Sequence, residues 1–255
     1  MHPHTATFRF YAELNDFLPA ARRQRDFAHA FAGTPSVKDT VEALGVPHVE
    51  VDLVVVDGRS VGFDHRLRGG ERVAVYPVFE GIDIAPALHV RPAPLRETRF
   101  VLDVHLGKLA RLLRLVGFDA ACDPTMDDAG IVRRALAERR VILTRDRELL
   151  KRGEVTHGLW IRSTDPEAQA RQVLNRLDLR ARARPFARCT ACNGEVEEVA
   201  KGAIAGELPP HVRATQDRFR RCTGCGQLYW EGTHFERLRA TVGRLLADPP
   251  PEGDE

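Results

Sequence analysis

No apolar run in this chain approaches the ~20 residues needed to cross a bilayer, and Met1-His2-Pro3-His4-Thr5 lacks the basic and apolar regions of a secretory signal. Membrane embedding is excluded on that reading, and a cytoplasmic location is expected. No internal repeat is present, which excludes solenoid architectures. Lysine occurs only as Lys38, Lys108, Lys151 and Lys201, so positive charge is carried almost wholly by arginine. The net charge is only +2, although Arg171, Arg176, Arg180, Arg182, Arg184 and Arg188 crowd a stretch whose one nearby acid is Asp178. A solvated face and a phosphate-binding face fit that run equally well. Cysteine is sparse at five residues. Four form two C-x-x-C pairs, which in a reducing compartment points to metal ligation rather than disulfides, and Cys122 is expected to be simply buried.

What is present suits a folded protein of more than one compact unit: 255 residues, 43% hydrophobic and 29% charged. Two short apolar runs end on aspartate, Phe100-Val101-Leu102-Asp103 and Val141-Ile142-Leu143-Thr144-Arg145-Asp146. Runs of this kind separated by amphipathic helices read as parallel strands, and such sheets place ligand sites at the carboxyl ends of their strands. Between them, Leu106, Leu109, Leu113 and Val116 mark the inner face of a helix, with Lys108, Arg111 and Arg114 towards the outer one. Phe118 to Cys122 reads as a further strand, Asp127-Asp128 opens a helix, and Gly158 to Ile161 is a strand leading to Asp165-Pro166.

Asp103, one of Asp127 or Asp128, Asp146 and an optional Asp165 could converge at one sheet edge. Two ionised carboxylates ~4 Å apart repel by about 4 kcal/mol at an effective dielectric of 20, a cost that a bound cation relieves. Mg²⁺ or Mn²⁺ fits an all-oxygen site and supports phosphodiester hydrolysis. Asp127, Asp128 and Asp165 also stand where helix N-caps are common, and for Asp165 the cap is favoured. Thr144 could orient its neighbour through its hydroxyl, and Arg145 and Arg147 could contact phosphate or solvate the edge.

Residues 5 to 80 suggest a small mixed sheet, with strands at Thr7 to Tyr11, Val49 to Val56 and Arg72 to Val78. Ser36-Val37-Lys38-Asp39 opens a helix through Leu44, and Asp57-Gly58 marks a hairpin. This segment resembles β-grasp sulfur carriers, and more closely the ubiquitin-like domain that precedes Mut7-C domains. Arg68-Gly69-Gly70 resembles a carrier's diglycine but precedes another strand, so a glycine-requiring turn is favoured over conjugation. A binding or packing module, with a protein partner, is the expectation for this domain.

Asp103 followed by Gly107-Lys108-Leu109-Ala110-Arg111, then Gly117-Phe118-Asp119, and Leu143 to Leu149 resemble the Mut7-C domain, a PIN-like ribonuclease domain. The resemblance runs from about residue 99 to 240. It implies Asp103, Asp128 and Asp146 as the catalytic acids binding Mg²⁺ or Mn²⁺, with Asp128 preferred to Asp127, and RNA as substrate. Lys108, Arg111, Arg145 and Arg147 are the expected RNA contacts.

Cys189-Thr190-Ala191-Cys192 and Cys222-Thr223-Gly224-Cys225 have the spacing of a zinc ribbon, whose four thiolates close a tetrahedral Zn²⁺ and leave it structural. Tyr229 and Trp230 could stack on unpaired bases, but a small core beside the knuckle is favoured, and His234 reads as an ordinary hydrogen-bonded histidine. The expected fold class is α/β. It comprises a ubiquitin-like β-grasp domain (1-82), a proline-rich linker (83-98), a PIN-like parallel-sheet domain (99-187), a zinc ribbon (188-247) and a disordered tail (248-255). The expected activity is metal-dependent ribonuclease, the alternative a non-catalytic RNA-binding or ribosome-associated adaptor.

Overall fold

The computed structural model describes residues 3–77, 90 and 97–247. Most of the expected linker, including Pro86, Pro92 and Pro94, and all of the expected tail lie outside the described residues. The chain divides into two compact units, each made of two stretches of sequence: Met1–Arg96 with Asp128–Trp160, and Glu97–Asp127 with Ile161–Glu255.

The N-terminal segment forms β1 (His4–Phe10), β2 (Phe27–Phe31), α1 (Val37–Ala43), β3 (Val51–Val56), β4 (Arg59–Ser60) and β5 (Arg72–Pro77). The strand order is β2-β1-β5-β3-β4, with β1 and β5 parallel and the remaining neighbours antiparallel. This is a β-grasp sheet. Ala6, Phe8 and Phe10 alternate inward along β1 and meet Val37 and Val41, spaced one helical turn apart on α1. The Ser36 hydroxyl caps α1 by accepting from the Asp39 N–H at 3.0 Å. The expected hairpin is present, with Asp57 and Gly58 both at positive φ, +48° and +79°. Strand β2 was not anticipated. Its alternation, Phe27-Ala28-His29-Ala30-Phe31, is short and follows a charged run, and its aromatic rings are only half-buried.

The Arg68-Gly69-Gly70 segment is a built turn. Gly69 and Gly70 sit at φ +105° and +94°, a region hostile to other residues. The Glu71 carboxylate accepts from the Arg68 and Gly69 N–H groups at 2.6 and 2.8 Å.

Next come β6 (Arg99–Leu102), α2 (Gly107–Leu115), β7 (Asp119–Cys122), α3 (Asp128–Glu138), β8 (Val141–Thr144), α4 (Arg147–Leu150), β9 (Gly158–Trp160) and α5 (Pro166–Arg176). Strands β6 and β7 pair in parallel, as do β8 and β9. Phe100, Val101 and Leu102 and the whole of β8 are buried, as expected for parallel strands covered on both faces. Helix α2 turns Leu109, Leu113 and Ala110 inward, packs on α5, and exposes Lys108 and Arg111.

Arg114 corrects the helical-wheel reading that placed it outward. It is buried, because three backbone carbonyls meet its guanidinium: Ala120 at 2.8 Å, Thr190 at 3.1 Å and Ala191 at 2.9 Å. A charged side chain is tolerated inside when its donors are used in this way. The arginine-rich stretch is mixed, with Arg182 and Arg184 exposed and other members engaged within the protein. Arg171 pairs with Glu167, Arg188 with Asp119 and Glu195, and burial pushes the Arg176 guanidinium down to about 10.

The last segment holds β10 (Val196–Val199), α6 (Lys201–Ile204), α7 (Pro210–Thr215), β11 (Phe219–Cys222), β12 (Leu228–Trp230) and α8 (Thr233–Leu246). The three strands form an antiparallel sheet in the order β10-β11-β12. Ile204, Leu208 and Val212, from the stretch inserted between β10 and β11, bury Phe219 in a small core that Trp230 joins. Among the described residues, no helix is long and apolar enough to cross a membrane.

Candidate functional site

Each acid expected at a strand exit has a defined local geometry. Asp103 follows β6 and is half-buried, with Oδ1 accepting from the His105 N–H at 2.9 Å. The register Leu102↔Cys122 brings the next residues, Asp103 and Asp123, off neighbouring parallel strands. Asp123 was missed in the sequence reading, although Ala120-Ala121-Cys122-Asp123 carries the same signature of a short buried strand ending on an acid. Its Oδ1 accepts from the Thr125 N–H at 2.9 Å and the Thr125 hydroxyl at 2.7 Å. Cys122 is half-buried between them, its Sγ 3.8 Å from the Asp103 carbonyl oxygen. Burial pushes the Cys122 thiol up; the Arg114 charge opposes this, and the Asp103 and Asp123 charges add to it.

Asp146 is exposed after β8 and caps α4, Oδ1 accepting from the Glu148 N–H at 2.8 Å. Its own N–H donates to Thr144 Oγ1 at 2.9 Å, so the fully buried Thr144 does orient this loop. Asp128 opens α3, and it and Asp127 are exposed. Asp165 is the N-cap of α5, accepting from the Ala168 N–H at 2.7 Å. Asp103 and Asp123 belong to one compact unit, Asp128 and Asp146 to the other. Of the four expected RNA-contacting cations, Lys108, Arg111 and Arg145 are exposed, while the Arg147 guanidinium lies 4.3 Å from the centre of the Trp160 ring.

Among the described residues, the group of His, Cys, Asp or Glu side chains whose ligand atoms lie within 4.8 Å of one another is Cys189, Cys192, Cys222 and Cys225. The Sγ atoms of Cys189 and Cys225 are 3.7 Å apart, and those of Cys192 and Cys222 are 3.3 Å apart. A tetrahedral ion with Zn–S bonds of ~2.3 Å has S···S edges of about 3.8 Å, whereas a disulfide needs about 2.05 Å. The spacing fits a tetrahedral ion and not a pair of disulfides. Backbone N–H groups point at the sulfurs, from Cys192 to Cys189 at 3.4 Å and from Gly224 to Cys222 at 3.3 Å, as thiolate ligands favour. The donor set fits a structural zinc.

The first knuckle is tied to β7. Asn193 accepts from the Ala120 N–H at 3.0 Å and donates to Asp119 at 2.7 Å, while Arg114 reaches the carbonyls of Thr190 and Ala191. The Tyr229 hydroxyl lies 3.0 Å from Cys189 Sγ, Trp230 packs against the small core as expected, and both rings also line the groove beside the ribbon. His234 is exposed on the first turn of α8. An open groove of about 1230 Å³ follows the ribbon, lined among others by Phe186, Arg188, Arg220, Tyr229 and Phe235.

A family model described as the Mut7-C RNAse domain matches residues 98–242. The chain belongs to the Mut7-C RNAse domain family. A second model, Mut7-C ubiquitin, matches residues 3–83 and thus the β-grasp sheet. The Mut7-C RNAse match contains both parallel strand pairs, the acids Asp103, Asp123, Asp128 and Asp146, and all four ribbon cysteines. A search of curated proteins returns no match.

Proposed function

We propose that this Mut7-C protein is a metal-dependent ribonuclease in which Asp103, Asp128 and Asp146 hold Mg²⁺ or Mn²⁺. The observation that carries the reading is the RNAse-family match, which spans the very stretches whose strands and helix end or begin on these acids. The donor set suits hard ions: carboxylate oxygens only, with Asp146 exposed and committing one oxygen to its cap. A bound ion would activate water and stabilise charge on the phosphate under attack. The chain's own cations Lys108, Arg111 and Arg145 would draw the RNA backbone in. Asp123, beside Asp103 in register, is a candidate additional acid.

The test compares cleavage of labelled single-stranded RNA by the parent and by Asp146→Asn with Mn²⁺ or Mg²⁺ added. Cleavage should fall by at least about a hundredfold in the variant; equal cleavage sinks the carboxylate mechanism. The second reading, a non-catalytic RNA-binding adaptor, is favoured by the ribbon groove, whose aromatic and arginine lining suits unpaired bases. It gains if neither protein cleaves while both bind RNA with steep salt dependence.

A further inference from the structure

Both neighbours of Asp146 are gripped by the Trp160 side chain. The carbonyl of Arg145 accepts from Trp160 Nε1 at 3.2 Å. On the other side, the Arg147 guanidinium lies 4.3 Å from the centre of the Trp160 ring and 5.7 Å from that of Phe17. Arg147 Nη1 also reaches the Phe17 carbonyl at 3.5 Å. A cation stacked in this way is held at its charged end, and it cannot swing away without leaving the π-faces.

Trp160 is in turn fixed by the β-grasp domain. Its backbone N–H donates to Glu50 Oε1 at 2.6 Å, and Glu50 is 1% exposed. The rings of Phe17 and Trp160 lie 4.8 Å apart. Two residues before Glu50, His48 Nε2 is 3.0 Å from the Val155 carbonyl oxygen, and its Nδ1 is 2.6 Å from Glu42 Oε1. A buried carboxylate that accepts from the Trp160 amide, with an aromatic ring and a histidine aimed at the same segment, is more than incidental packing.

We infer that the ubiquitin-like domain is a positioning brace for the Asp146 loop: Phe17 and Glu50 fix Trp160, and Trp160 fixes Arg145 and Arg147 on either side of the carboxylate. Phe17, Glu50, Arg147 and Trp160 are positioning residues, and none needs to touch RNA. The catalytic consequence rests on the assignment of Asp146 above. The mechanical part stands on the contacts alone. A displacement of about 1 Å at a reacting group can cost on the order of a hundredfold in rate, so a brace of this kind acts through kcat.

The experiment uses the full-length chain with Trp160→Phe, which keeps a ring but removes the Nε1–H, and Arg147→Met, which keeps the stem but removes the charge. Asp146→Asn is run beside them. Hydrogen exchange at the Glu148 amide, the donor to Asp146, is measured without substrate, and cleavage is followed as a function of RNA and Mn²⁺. Exchange at Glu148 should quicken, kcat should fall by about tenfold with KM for RNA unchanged, and more Mn²⁺ should be needed for half-maximal rate. Parent-like exchange at Glu148 in both variants overturns the brace whatever the activity. Faster exchange with parent kcat, in a protein that Asp146→Asn inactivates, overturns its role in positioning. If Asp146→Asn cleaves like the parent, the ribonuclease assignment of Asp146 fails instead, and exchange alone decides the brace.

Discussion

The strand pair β8–β9 and the strand pair β6–β7 are each held by an added domain, but by opposite chemistry. The β-grasp domain grips β9 at Trp160 with one ring and one buried carboxylate, those of Phe17 and Glu50. The ribbon grips β7 with polar groups, through Arg114 on the knuckle carbonyls and Asn193 on Ala120 and Asp119. The first grip needs only a domain that folds without an ion. The second needs carbonyls whose positions follow from four cysteines around an ion, so it depends on metal.

Metal removal is the harshest way to break this contrast. Chelation, or Cys222→Ser, should release about one equivalent of zinc, a loss worth on the order of 10 kcal/mol of binding free energy for structural sites. Hydrogen exchange should rise across β10–β12 and reach β7 through Arg114, while β1–β5 stays protected. Equal loosening of β1–β5 would erase the distinction.

A single change at the polar grip should do the next most damage. Arg114→Met leaves three carbonyls without their donor, which predicts a loss of about 3 kcal/mol in denaturant unfolding together with faster zinc loss to a chelator. Trp160→Phe should cost only about 1 kcal/mol, the worth of one hydrogen bond, and should leave zinc release untouched. If Trp160→Phe sensitises the ribbon to chelator, the two grips are not independent.

The smallest effect concerns pH. Burial pushes the Glu71 carboxyl up, but the N–H groups of Arg68, Glu71 itself and Gly69 outweigh it and hold it below its ordinary value. A carboxyl depressed on folding contributes stability that is present above its unfolded pKa, near 4, and is lost as pH falls through the folded value. Glu71→Gln should therefore flatten the acid limb of the stability curve of the β-grasp domain by less than about 1 kcal/mol, since the group is partly exposed. The ribbon should show no such change.

Local chemistry was legible in the sequence wherever a residue's role is set by its near neighbours. Ser36 caps, Asp57-Gly58 turns, Asp165 caps and the two C-x-x-C pairs converge as their spacing implied. Roles set by distant partners were hidden. Arg114 looks like a surface residue until Thr190 and Ala191, 76 and 77 positions later, supply acceptors. Arg147 reads as a phosphate contact, and nothing near it in sequence announces that it stacks on Trp160 and Phe17. Asp123 escaped because Asp127-Asp128 nearby offered a more familiar helix start, and β2 because five residues of weak alternation carry little signal.

The discontinuous make-up of the two units sets a timetable for synthesis. The unit that opens with Met1–Arg96 is completed only by Asp128–Trp160, and the intervening Glu97–Asp127 belongs to a unit whose remainder runs to Glu255. At 5–20 residues per second, a ribosome takes roughly 3 to 13 s to pass from residue 96 to residue 160. During that interval the nascent β-grasp sheet has neither Trp160 against Phe17 nor Val155 opposite His48. The Phe17 ring and the His48 imidazole therefore wait on a segment made more than a hundred residues later, and the sheet's last contacts close only once β9 has been synthesised.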